Sequence, residues 1–184
     1  MTLSALRVFA RQVHFIEDGA TVVERAVEVV QGATGAAWVG AYTASPDGSL
    51  MLAAAAGEVP FGSPEAVDVD DPMLVALRAE RGPVDAPEDS VLPGTLALPF
   101  MAAGRVTGLL AVGAPRRPYA ADYRETLRSV AFNVGLALEV LQVRGLRAQV
   151  EEWRERTEWA EQELATLHRL LDRMQHGPRE AQPL

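Results

Sequence analysis

The sequence predicts an α+β protein: an antiparallel sheet with flanking helices, continued by a long C-terminal coiled-coil helix. Three observations carry this. Periodic stretches follow one another as helix, strand, strand, irregular helical segment, strand, strand, long helix, an order that suits an antiparallel sheet with helices on one face. From about Ala120 to Gln175 no proline interrupts a regular apolar stripe. Apolar residues make up 48% of the 184 residues, enough for a packed core.

Taken in order, Leu3 to Ile16 reads as a helix whose rough stripe is Leu3, Leu6, Phe9, Val13 and Ile16. Glu17-Asp18-Gly19 interrupts it. Asp18 or Thr21 can cap the next helix, Thr21 to Gln31, where Val22, Val23, Ala26, Val27 and Val30 face inward and Gly32 and Gly35 end the run. Ala36 to Thr43 is a strand. Ser45-Pro46-Asp47-Gly48 supplies turn chemistry, so Leu50 to Ala56 returns as the second arm of a hairpin. The small alanines of that arm suit a face packed closely by a helix. Prolines punctuate the next stretch, from Gly57 to Pro93. It holds one short helix with Pro72 in its first turn, running to about Glu80, and a short edge strand near Val84. Thr95 to Ala102 and Val106 to Gly113 pair across Ala103-Gly104. Pro115 to Pro118 then leads into the long helix, with Asp122 placed favourably for its dipole.

The long helix divides in two. Up to about Leu141 it belongs to the domain, packing Leu127, Val130, Val134 and Leu138. Beyond, apolar positions step by three and four: Val143, Leu146, Val150, Trp153, Thr157, Ala160, Leu164, Leu167, Leu171 and Met174. This is the a/d seam of a coiled coil over about five heptads. At 1.5 Å per residue the whole helix would span roughly 80 Å against about 30 Å for a small domain, so its distal half should protrude. A protruding apolar seam needs a partner helix, and a homodimer through this element is expected. Arg156 and Glu161 flank the seam at positions suited to a parallel pairing. Glu139 would fall on the seam if the register ran backwards, so the register starts after it. Gly145, beside that start, is a candidate joint. The chain thus divides into an N-terminal helix (1–17), a domain (18–142), a coiled-coil stalk (143–176) and a disordered tail (177–184).

Composition removes several function classes. With no cysteine, disulfides, thiolate metal sites, cysteine nucleophiles and thiol redox chemistry are excluded. All 17 basic residues are arginine. The net charge of −8 is concentrated where Glu58, Glu65, Asp68, Asp70, Asp71, Glu80, Asp85, Glu88 and Asp89 meet only Arg78 and Arg81. The stalk is nearly balanced, six arginines against seven acidic residues from Arg144 to Arg173. Neither pattern suits nucleic acid or an anionic membrane, which want a basic face. No run of eighteen or more apolar residues suggests a span, and the N-terminus lacks the features of a signal peptide. A soluble cytoplasmic protein is expected.

Candidate chemistry is sparse. Asp68, Asp70 and Asp71 lack the glycine and the twelfth-position glutamate of a calcium loop, so they read as solvated acids or as a cap for the Pro72 helix. His14, His168 and His176 do not cluster, and no metal site is expected. His168 lies on the stalk, but the acidic residue and nearby proline of a phospho-accepting histidine are missing. No phosphate-cradling loop, nucleophile–base grouping or helical carboxylate pair is present. A non-enzyme without a cofactor is the expectation.

Three stretches resemble the GAF domain, a sensory module related in architecture to PAS. They are Val27-x-x-Val30-x-Gly32-Ala33-Thr34-Gly35-Ala36-Ala37, the hairpin Leu98-Pro99-Phe100-Met101-Ala102-Ala103-Gly104-Arg105-Val106-Thr107-Gly108-Leu109-Leu110-Ala111-Val112, and Tyr119-x-x-x-Tyr123-x-x-x-Leu127-x-x-x-Ala131 with Leu136-Ala137-Leu138-Glu139. The resemblance implies a ligand pocket between the sheet and the irregular middle segment. It projects Trp38, Tyr42, Met51, Phe61, Met73, Leu77, Arg78, Thr95 and Phe100 onto that pocket as lining, though the same residues suit an ordinary core. It also implies what is missing: bilin attachment and free methionine sulfoxide reduction in this family depend on cysteines, and the cyclic-nucleotide motif is not recognisable. What remains is a sensory or regulatory dimer that relays small-molecule or partner binding to a signalling protein. The alternative is a ligand-free adaptor that recruits a partner through its coiled coil.

Overall fold

The computed structural model describes residues 3–58, 64–113 and 121–175. Helix α1 (Leu3–Gln12) runs into a 3-10 turn, Val13–Phe15, and is followed by α2 (Gly19–Thr34). The hairpin β1 (Trp38–Ala44) and β2 (Leu50–Gly57) precedes the short β3 (Ala66–Val67), α3 (Pro72–Glu80) and β4 (Val84–Asp85). A second hairpin, β5 (Leu96–Ala102) and β6 (Arg105–Val112), leads to α4 (Ala121–Gln175). The strands form one antiparallel six-stranded sheet in the order β3-β2-β1-β6-β5-β4. By internal contacts the chain divides into Met1–Leu141 and Gln142–Leu184.

In the first unit, the expected stripes become the core. Leu6, Phe9 and Val13 of the N-terminal helical stretch are buried with Val22, Val23, Ala26, Val27 and Val30 of α2. Asp18 caps α2, accepting from the Thr21 amide at 2.8 Å and its hydroxyl at 2.7 Å. These bonds to the ionised form hold the Asp18 carboxyl below its usual range. The helix starts earlier than its stripe suggested and passes through Gly32. It ends at Gly35, whose positive φ of 62° lets its amide reach the Gln31 carbonyl.

Helices do not lie on one face alone, as expected from the element order. α1, α2 and the first part of α4 cover one face, where Leu127, Val130, Val134 and Ala137 meet Leu96, Leu98, Phe100, Leu110 and Val112. α3 covers the other, with Met73, Leu74 and Leu77 against Trp38, Tyr42, Leu50, Val67, Leu109 and Ala111. A sheet whose central strands are each buried at five successive positions demands cover on both sides. Strand β3 was not expected; two residues carry no readable period.

β2 serves both faces because of a bulge. Ala41 pairs with Ala54 and Tyr42 with Leu52, leaving Ala53 unpaired. Leu50 and Leu52 therefore pack on the α3 side, while Ala54 and Ala56 pack under α2, where small methyls permit close approach. α4 reaches the sheet just as closely at Gly135, where a Cβ would stand 2.7 Å from the Met101 amide nitrogen.

α4 includes an 18-residue window whose mean hydropathy, 1.2, reaches the level of a membrane-crossing helix. Leu127, Val130, Val134 and Ala137 of this helix are core residues of the first unit, and 28% of that window is buried. In the second unit every described residue of the helix from Gln142 to Met174 is exposed. Paired charges one turn apart, Arg156 with Glu152 and Arg154 with Glu158, line it. Phe61, the Pro115–Pro118 lead-in, Tyr119 and the 177–184 tail lie outside the described residues.

Candidate functional site

The face of the sheet under α3 gathers the expected ligand residues. Trp38 and Tyr42 project from β1 on alternate positions, and the intervening Gly40 leaves room for them. A Cβ there would lie 2.8 Å from the Trp38 ring and 3.2 Å from the Tyr42 ring. Met73 and Leu77, one turn apart on α3, close over these rings, and all four side chains are buried. The Tyr42 hydroxyl donates to the Pro64 carbonyl at 3.1 Å. Burial pushes its ionisation up to about 12, so it stays a neutral donor at physiological pH.

Thr95 is buried beside this group, its hydroxyl donating to the Leu92 carbonyl at 2.9 Å. Arg78 lies outside, on the exposed side of α3. Its guanidinium donates to the carbonyls of Val69 and Gly48 at 2.8 and 3.1 Å, which ties the first hairpin turn to the loop before α3.

Two expected residues do not join this group. Phe100 shares its face with Leu96 and Leu98 and belongs to the core under α4. Met51 pairs with Thr43, one step out of phase with Tyr42, and stands 44% exposed. Strand alternation decides both cases.

A polar brace missed by the sequence reading holds α3 in place. Asp71 caps the helix at the Met73 amide, 2.9 Å away. The same buried carboxylate accepts from the Ser90 hydroxyl at 3.0 Å and the Val91 amide at 2.9 Å. Ser90 in turn accepts from the Leu92 amide. Asp71 could be suspected as a cap from its place before Pro72. Its partners nineteen residues on carry no local signal.

This face offers apolar rings, one neutral hydroxyl and hydroxyls already engaged, a set suited to binding. Among the described residues no three His, Asp or Glu side chains stand close enough to hold a metal ion.

The second candidate surface is the seam. Val143 is 41% exposed, Trp153 69% and Met174 82%, and the seam positions between them are exposed as well. Trp159 and Leu170 add exposed apolar area off the seam.

The fold, the two-faced core and the closing hairpin agree with a family model for the GAF domain, which matches residues 18–138. The chain belongs to the GAF domain family. No curated protein matches it. Among solved structures, the GAF domain from an Acinetobacter phosphoenolpyruvate-protein phosphotransferase superposes with a TM-score of 0.65 at 15% identity, over 77% of this chain and 94% of that one. Free methionine-R-sulfoxide reductase from Neisseria meningitidis, solved with its substrate, gives 0.62 at 19% identity, over 76% and 89%. The second GAF domain of DevS from Mycobacterium smegmatis gives 0.57 at 25% identity, over 72% and 99%. GAF domains are generally sensory or regulatory modules.

Proposed function

We propose that this chain is a non-enzymatic sensory or regulatory GAF protein that dimerises through Val143–Met174 and relays small-molecule or partner binding to a signalling protein. The observation that carries the reading is the exposed seam itself, ten positions at coiled-coil spacing on a continuous helix. Each apolar side chain so covered contributes on the order of 1.5–3 kcal/mol, enough in sum to offset the entropy of association. A ligand whose binding is coupled to one packing of the paired helices would bias their pairing.

The non-enzymatic part rests on chemistry. The chain has no cysteine, so the thiols expected for sulfoxide reduction in this family are missing. The acidic composition and the charge-balanced stalk support a cytoplasmic protein that engages neither nucleic acid nor membrane.

Sedimentation at micromolar concentration tests the core claim. A dimer that Leu164→Asp with Leu167→Asp converts to a monomer is expected; a wild-type monomer would sink the proposal. For the ligand, native mass spectrometry should retain a small molecule, and Met73→Trp should displace it by filling the space under α3. The packing of Trp38, Tyr42, Met73 and Leu77 favours a second reading, the ligand-free adaptor. A dimer with no retained mass and no thermal shift across a metabolite screen would select it.

A further inference from the structure

At one end of the sheet, a cavity of about 470 Å³ is lined by Gly48, Arg78, Arg81, Gly104, Arg105 and Val106. We propose that it binds a small, multiply charged oxyanion.

The charge pattern is the first argument. In the acidic stretch from Glu58 to Asp89 only Arg78 and Arg81 are basic, and both line this cavity. Arg105 joins them from β6, and the lining contains no carboxylate. An adjoining cavity of about 360 Å³ shares Arg81 and Gly104 and adds Arg128; its one acid is Glu139. Three arginines line one concave surface of a chain whose net charge is −8. Mutual repulsion disfavours such a cluster unless an anion relieves it.

The second argument is how the three are held. Arg78 spends two N–H donors on the carbonyls of Val69 and Gly48, which fixes its plane and leaves others free. Arg105 follows the two-residue turn Ala103-Gly104, where both residues have positive φ, 47° and 76°. Arg81 sits at the C-cap of α3 in the left-handed conformation, φ 53°, where glycine is the usual occupant. Glycine is one position later, at Gly82, so the chain keeps a side chain where backbone conformation argues against one. Among the described residues the side chains of Arg81 and Arg105 make no hydrogen bond or ion pair; the Arg81 backbone amide donates to the Leu77 carbonyl. Strain retained at a cationic residue that lines a cavity and has no side-chain partner is an arrangement for binding.

The volume is that of a small-molecule site, within the roughly 300–1,000 Å³ such sites occupy. Guanidinium groups take phosphate-type and carboxylate-type oxyanions alike, and multiple charge is what three of them reward. The site shares no residue with the buried group under α3, so the two proposals stand or fall separately.

The test is titration calorimetry on the full chain with pyrophosphate and with citrate, at ionic strength matched by sodium chloride. The comparison is with the double variant Arg81→Gly and Arg105→Gln. Arg78 is left in place because its carbonyl bonds hold two loops together. Saturable binding of either anion is expected, weakened more than about tenfold in the variant. Binding of pyrophosphate alone would mark a phosphate-type ligand, and of citrate alone a carboxylate-type one. Arg81→Gly relieves the backbone strain, so the variant's melting temperature should not fall below wild type, which separates a lost site from a lost fold. Heats no larger than those of sodium chloride, or equal affinities in wild type and variant, would overturn the proposal.

Discussion

The Tyr42 hydroxyl and the Pro64 carbonyl, 3.1 Å apart, join the centre of β1 to the segment entering β3. The bond exists only while Tyr42 keeps its proton. Burial raises its ionisation from 10.0 to about 12, so the folded state favours the neutral phenol. The stabilisation is fully present below pH 10 and is lost as pH rises from there towards 12. The melting temperature should therefore fall over that range, and the ultraviolet titration should show Tyr42 ionising late. Tyr42→Phe should abolish the late phase and cost about 1 kcal/mol at neutral pH. A late phase that survives in the variant would contradict this assignment.

Asp71 should be a large polar contributor to stability. Replacement by alanine removes a helix cap and strands the Ser90 hydroxyl and the Val91 amide. Caps contribute about 1 kcal/mol and hydrogen bonds to a charged group about 1.5–3, so Asp71→Ala should cost about 3 kcal/mol in urea denaturation. Asp71→Asn, which keeps the cap, should lose less. Equal losses would mean that the cap contributes nothing and that the carboxylate's bonds to Ser90 and Val91 carry the whole effect.

Gly135→Ala should destabilise although alanine is the better helix former. The added methyl would meet the Met101 backbone at 2.7 Å, and neither α4 nor β5 can yield freely. A net loss of about 1–3 kcal/mol is expected by chemical denaturation. A gain in stability would show that the helix can lift from β5.

Gly145→Ala is the same change in the same helix with the opposite sign. Nothing stands within 4 Å of the added methyl. The local gain is about 1 kcal/mol of helix propensity. Amide exchange over residues 140–150 should slow, with the sedimentation coefficient unchanged. Unaltered exchange would remove Gly145 as a joint.

The elements with strong periods were legible in the sequence. Val22, Val23, Ala26, Val27 and Val30 face the core as their spacing requires, and Pro72 starts α3 as its fixed φ allows. The placement of α3 was harder to read, because element order says nothing about which face a helix chooses. Phe100 could have been assigned correctly, since it shares a period of two with Leu96 and Leu98. Met51 could not, because its phase depends on a bulge within a run of alanines that offers no polar contrast. The Asp71–Ser90 brace and the convergence of Arg78, Arg81 and Arg105 are tertiary facts, set by loops whose ends meet only after the sheet has formed.

That bulge has a further consequence, for how the chain finds its pairing. A strand containing Ala53, Ala54, Ala55 and Ala56 in succession could slide against β1 with little change in what its methyls touch. Leu50 and Leu52 forbid it. One step of slippage would turn both leucines towards α2, where the approach is shaped for methyl groups, and would empty their places beside Tyr42. The two leucines act as a key at one end of an otherwise featureless ribbon, and they select a single alignment from several of nearly equal energy.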